Sequence, residues 1–205
     1  MSSGGDTAVV IGAVAGYSSS QECIKMIRDI LPRNPNIIIS YSGDNESASF
    51  TPYVTGYQHE LFASLDCDRK GGGIYNGGMQ GIVTGKLTFT MQADENWLRN
   101  QCIMHAVATG LGIRHVAFLQ SNLVCKKRGA KDEEMFLYCG CENIEARWAY
   151  YDTLRSKIKG VDYIIDATEW LDDADGVLFD HAHALEEGNR IIANRIYDVI
   201  FGGND

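Results

Sequence analysis

No segment of the 205-residue chain approaches the roughly 18 consecutive apolar residues that a membrane-crossing helix requires. No basic cluster precedes the first apolar run, Ala8-Val9-Val10-Ile11, so the amino terminus does not read as a secretory signal. Positive charge is scarce. Lysine and arginine number 18 against 27 aspartates and glutamates, a net charge of −9 with histidine neutral. A surface of that sign repels phosphate backbones, so neither nucleic acid nor membrane is an expected partner. The basic run Lys126-Lys127-Arg128 is soon followed by Asp132-Glu133-Glu134 and is expected on a solvated loop. The chain has no phosphate-binding Gly-x-x-x-x-Gly-Lys-Ser/Thr motif. Its six cysteines are dispersed, with Cys139-Gly-Cys141 too tight for a Cys-x-x-Cys zinc pair and no second pair to complete it. Cys23 and Cys102 are expected on apolar helix faces, as small hydrophobes. These absences predict a reduced, cytoplasmic protein that needs no metal and no cofactor.

What is present is ordinary globular material, 45% hydrophobic and 22% charged, in a length that suits a single domain spanning 1–205. The order is alternating. Ala8–Ile11 and Ile37–Ile39 are short apolar runs of the kind found in strands buried on both faces. Between them Ser19-Ser20-Gln21-Glu22 fits a capping box, and Cys23, Ile24, Ile27, Ile30 and Leu31 follow at helical spacing until Pro32 and Pro35. From about 44 to 90 periodicity dissolves into a glycine-rich insertion. A helix over about 94–111 follows, then a strand over 116–120, a polar loop over about 121–142 and a helix through Trp148 and Ile158. A strand over 161–165 and a helix from about 185 to 200 close the chain. The pattern predicts an α/β fold with a parallel sheet sandwiched by helices, a three-layer α/β/α arrangement. Its site should lie beyond the carboxyl ends of the strands.

Three of the loops expected there hold chemistry-bearing residues. Gly12 to Ser18 follows the first strand, Ser42-Gly43-Asp44-Asn45-Glu46 the second, and Phe179-Asp180-His181-Ala182-His183 precedes the last helix. An aspartate three residues before a histidine on a turn can accept the imidazole Nδ1–H, which fixes the tautomer and leaves Nε2 as a general base. A capping aspartate beside a surface histidine is the plainer reading of Asp180 and His183 in isolation. His181 and His183 as paired metal ligands lack a third ligand of fitting spacing.

In order along the chain, these segments resemble blocks of the SGNH (GDSL-type) hydrolases. Asp180-His-Ala-His183 with Gly188 and a following helix is similar to the last block, and Ala13 to Ser19, with Gly16, to the second. Gly43-Asp44-Asn45-Glu46 resembles the third, Gly-x-Asn-Asp, with glutamate in place of the final aspartate. Phe118-Leu119-Gln120-Ser121-Asn122 resembles the strand end that often reads Gln-Pro-Asn. The resemblance covers about 9–200. It implies a serine esterase or acylhydrolase on a parallel flavodoxin-like sheet, in which His183 is the general base and Asp180 orients it. The Gly16 N–H and the Asn45 side-chain amide would bind the oxyanion.

The first block of that family, Gly-Asp-Ser with the nucleophile, has no counterpart here. Gly5-Asp6-Thr7 follows no strand and lies too close to Gly16. Gly203-Asn204-Asp205 imitates the third block without a strand to support it. The nucleophile is therefore unknown, and the serine is expected to lie outside these residues, on a central strand between those at 8–11 and 37–39. Without that strand the two pair directly or leave unpaired edges that invite a homo-oligomer. The expected substrate is a small-molecule or carbohydrate ester, an O-acetylated sugar suiting the glycine-rich loop. An inactive relative that binds a glycan or a protein partner is the alternative. A flavodoxin-like small-molecule binder unrelated to esters is a third.

Overall fold

The computed structural model describes residues 7–14, 16–47, 53–54, 90–91, 93–140 and 144–202. Three strands form a parallel sheet in the order β1 (Ile37–Ser42), β4 (Arg114–Leu119), β5 (Ile164–Asp166). Ile37 lies opposite Arg114 and Ser42 opposite Leu119, while Ala117 lies opposite Ile164. A separate antiparallel pair joins β2 (Tyr53–Val54) to β3 (Thr90–Met91). The rest of the glycine-rich insertion lies outside the described residues, as do Gly5-Asp6, Gly203-Asn204-Asp205, Cys67 and Cys141.

Helices cover both faces of the sheet, the expected three-layer α/β/α arrangement. On one side Ile38 packs with Cys23 of α1 (Ser19–Lys25) and with Met104 and Ala108 of α3 (Ala93–Gly110). Ala117 and Leu119 meet Trp97 of α3, along with Tyr151 and Leu154 of α5 (Ile144–Lys157), on the same side. On the other side Val116 and Phe118 pack with Ile200 of α6 (Glu186–Phe201), and Trp170 tilts against Phe118 at 5.2 Å between ring centres. Alternate residues of one strand thus feed two separate cores, which is why its apolar run is uninterrupted. Among the described residues no helix is long and apolar enough to cross a membrane.

Several expectations need correction. Ala8–Ile11 is not a strand; Val9 and Ile11 are 83% and 86% exposed, because no described strand lies beside the segment to pair with it. The two runs therefore do not pair with each other, and one edge of β1 has no strand partner among the described residues. The capping box is one residue earlier: Ser18 caps α1, and its N–H donates to Gln21 Oε1 at 3.0 Å. Ser19 and Ser20 instead accept from the Asn100 amide of α3 (3.0 and 2.9 Å). The helix after α1 loosens into a π turn (Met26–Ile30) and a 3-10 turn (Leu31–Arg33), where Pro32 supplies no N–H.

The polar loop expected over 121–142 contains a helix, α4 (Ala130–Cys139). Its first amides are satisfied from a distance, as Asp175 accepts the Lys131 and Asp132 N–H groups at 3.1 and 2.9 Å. Local sequence carries no sign of such a cap. Lys126, expected in solvent, is buried, paired with Asp132 and donating to the Ala174 carbonyl at 2.6 Å. Cys102 is exposed rather than packed on an apolar face, and accepts the Tyr163 hydroxyl at 3.1 Å.

Candidate active site

β1 is followed by Gly43, whose φ of +126° suits only glycine, and a Cβ there would come within 2.8 Å of Leu119 Cδ1. This turn launches α2 (Asp44–Ser47), a single helical turn at the carboxyl end of the sheet. Asp44 points inward. Its carboxylate accepts the Asn122 amide (2.7 Å) and Arg147 Nη1 (3.3 Å), and its other oxygen lies 3.3 Å from His181 Nε2. One buried carboxylate thereby ties together the turn after β1, the loop after β4, α5 and the loop before α6. Hydrogen bonding to Asp44, opposed by burial, raises the His181 pKa above its ordinary value.

Asn45 points outward, and its Nδ2 donates to the Tyr17 carbonyl at 2.8 Å. That bond fastens the turn bearing Asn45 to the loop bearing Gly16, which has a positive φ of 78°. Glu46 is fully buried and accepts the Ser19 N–H at the start of α1. Its longer side chain spans from α2 to that amide, and burial raises its pKa. Beside it, burial and then the Glu46 carboxylate push Glu22 up to about 8. Two carboxyl groups under one surface cannot both ionise cheaply.

His183 stands three residues before α6, with 71% of its side chain exposed. Its Nδ1 lies 2.8 Å from Asp180 Oδ2 and 3.0 Å from Oδ1. Asp180 Oδ1 also accepts the backbone N–H groups of Ala182 (2.9 Å) and His183 (2.8 Å). Burial works to raise the Asp180 pKa, but these bonds and the His183 ring outweigh it and hold the group below its ordinary value. The carboxylate is thus kept ionised and aimed at the ring. The Leu123 N–H donates to the His181 carbonyl (2.8 Å) and Gln120 Nε2 to the Ala182 carbonyl (3.3 Å), docking this loop on the end of β4.

Gly16, Asn45 and His183 line one cavity of about 680 Å³, with Asp180 behind the His183 ring. Ser42, Asp44, Arg147 and His181 line it too. The structure gives the two histidines separate carboxylates, Asp44 for His181 and Asp180 for His183, and not one shared ligand position. Sequence reasoning quoted Asp44 and His181 without seeing that they meet, and overlooked Arg147 and the inward turn of Glu22. The buried spacing of Arg147, Tyr150, Tyr151 and Leu154 on α5 was a signal that could have found the arginine.

No protein-family model and no curated protein matches the chain. Among solved structures, it is similar to a Bacteroides fragilis NCTC 9343 protein described as a "putative acylhydrolase". The TM-score is 0.50 and the identity 13%, over 90% of this chain and 70% of that one. At that identity the likeness is one of fold. It agrees with the parallel three-layer arrangement described above.

Proposed function

We propose that residues 1–205 form one SGNH-like domain that supplies the acid–base and oxyanion parts of a carboxylic ester hydrolase. The nucleophilic serine would lie on a segment outside these residues. The observation that carries this reading is the convergence of Gly16, Asn45 and His183 on one cavity, with Asp180 on the distal nitrogen of His183.

In this mechanism His183 Nε2 takes the proton from the serine hydroxyl as its oxygen attacks the ester carbonyl. Asp180 fixes the Nδ1–H tautomer and stabilises the imidazolium. The Gly16 N–H and the Asn45 amide donate to the tetrahedral oxyanion, each such donor being worth roughly 3 kcal/mol in the transition state. His183 then protonates the departing alkoxide, and water repeats the cycle on the acyl-enzyme. The Tyr17–Asn45 bond keeps the two donor loops from drifting apart. A small acyl group, including the acetyl of an O-acetylated sugar, is the substrate class we favour.

The test is p-nitrophenyl acetate hydrolysis by the 205-residue chain and by a form extended with an apolar strand ending in Gly-Asp-Ser. Turnover is expected only from the extended form, and His183→Ala should abolish it. Equal turnover by that variant and its parent sinks the assignment and leaves the glycan- or protein-binding alternative.

A further inference from the structure

Arg147 carries more hydrogen-bond donors than its surroundings use. Its side chain is 7% exposed, and Nη1 donates to Asp44 Oδ1 (3.3 Å) and Ser47 Oγ (3.1 Å). A guanidinium has several N–H groups, and one this buried ordinarily finds acceptors for nearly all of them. Here Nε is buried without a partner and Nη2 makes no hydrogen bond among the described residues, although Arg147 lines the 680 Å³ cavity. His181 stands in a similar relation to Asp44. Its Nε2 meets the second carboxylate oxygen at 3.3 Å, while Nδ1 makes no hydrogen bond among the described residues. Its side chain is 30% exposed, and the residue lines the same cavity.

The charges here do not cancel. Asp44 is one carboxylate shared by two basic groups, so with His181 protonated one positive charge is left over. Hydrogen bonding to Asp44 favours that protonated state, against burial and the nearby Arg147 charge, and Asp180 on the same loop adds to it. Elsewhere on the cavity wall, Lys25 is paired with Asp29 at 3.3 Å, and Glu22 is held neutral below about 8. In a chain of net charge −9 this is a local reversal of sign. A cleft with low-dielectric walls focuses such a field and concentrates small anions.

We propose that Arg147 and His181 form an anion subsite in this cavity, which takes a carboxylate, sulfate or phosphate group of a bound small molecule. Asp44 anchors both basic groups through its two oxygens, and their remaining N–H groups are the donors the anion would accept. The subsite adjoins the residues assigned to the reaction. Asn45 follows Asp44, and His183 lies two residues beyond His181, a span of at most ~7 Å along the chain. That the anion belongs to an ester rests on the esterase reading above; the subsite itself does not. On that reading the substrate is an anionic ester, such as the acetate ester of a sugar acid, gripped by its charge while its carbonyl meets Gly16 and Asn45. p-Nitrophenyl acetate carries no such group and makes no use of the subsite.

The experiment titrates the full chain at low ionic strength with sodium sulfate and with D-glucuronate, neither of which changes charge between about pH 5 and 9. Neutral D-glucose is the control. The side-chain resonances of Arg147 and His181, followed by nuclear magnetic resonance, should move saturably with an anion and not with glucose. Affinity should rise as pH falls through the His181 titration. His181→Gln keeps a donor for Asp44 without the charge, and Arg147→Lys keeps the charge without the planar fork. Each should weaken binding about tenfold, the usual worth of a charge-assisted hydrogen bond, and the first should abolish the pH dependence. Binding of glucuronate alone assigns a carboxylate and of sulfate alone a sulfate or phosphate ester, and either sustains the subsite. No saturable shift with either anion, equal binding of glucose, affinity of the parent chain indifferent to pH, or unchanged affinity in either folded variant overturns it. Anion binding by a chain whose extended form cleaves no p-nitrophenyl acetate sustains the subsite and removes the esterase reading; cleavage without anion binding does the reverse.

Discussion

The Asp44 carboxylate accepts a hydrogen bond from the Asn122 side-chain amide at 2.7 Å, joining two strand ends 78 residues apart in the chain. Asn122 Oδ1 meanwhile accepts the N–H groups of Val124 and Cys125 at 2.9 and 3.0 Å. The amide is therefore fully oriented by backbone on one side and by Asp44 on the other. Around this pair the candidate site is assembled.

Asp44→Ala should be among the costliest single substitutions. It leaves the Arg147 guanidinium, whose side chain is 7% exposed, without its carboxylate. Removing one partner of a buried ion pair costs about 3–5 kcal/mol. Urea unfolding monitored by circular dichroism checks this, and a loss below about 1 kcal/mol would show that Arg147 finds another partner.

Stability should fall on both sides of a maximum in pH. Glu22 is raised in the folded state from 4.5 to about 8, so its contribution is complete below about 4.5 and is lost as pH rises toward 8. His115, buried with both ring nitrogens unpartnered among the described residues, is lowered from 6.5 to about 4. Its contribution is complete above 6.5 and is lost as pH falls toward 4. Melting temperature against pH should show both limbs. Between about 4.5 and 6.5 the two oppose each other, so Glu22→Gln should remove the alkaline limb and extend the acid one up to about pH 6.5.

Gly43→Ala should destabilise by about 1–3 kcal/mol, from a positive φ that alanine resists and a methyl group pressed on Leu119. Because the same turn aims Asp44 and Asn45, nuclear magnetic resonance shifts should move at Asn122 and Tyr17 as well. Changes confined to residues 42–44 would contradict that coupling.

On the proposed esterase reading, the two histidines should separate in the form extended with Gly-Asp-Ser. His183→Ala is expected to lower kcat by ~10³-fold or more, as loss of the base does in serine hydrolases, and Asn45→Ala by ~10²–10³. His181→Ala, which removes only a partner of Asp44, should lower stability more than kcat. Equal losses in kcat from His181→Ala and His183→Ala would mean that both rings touch the reacting atoms.

Asp175→Ala should fray the start of α4 and cost about 1 kcal/mol, the usual value of a lost helix cap. Hydrogen exchange at Lys131 and Asp132 reports it directly, and unchanged exchange would assign the cap elsewhere.

Much of the fold was legible because its signals are local. The apolar runs at Ile37 and Val116 need no distant residue to be recognised, and α3, α5 and α6 carry their own periodicity. The helix at 130–139 was illegible because Asp175 caps it from more than 40 residues away, and the burial of Lys126 because Asp132 and the Ala174 carbonyl receive it. The Asp180–His183 pair was readable, since three residues on a turn confine both partners. Asp44 with His181 was not, since a separation of 137 positions leaves their meeting to the sheet.

The sequence by itself determined the order of β1, α3, β4, α5, β5 and α6, the acidic balance and the residue types at each loop, since these follow from periodicity and composition. Only the tertiary structure decided that Ala8–Ile11 pairs with no strand among the described residues and that Asp44 gathers four segments of chain. Pairing and burial are properties of neighbours, and a run of valine and isoleucine becomes a strand only where another backbone is there to meet its amides.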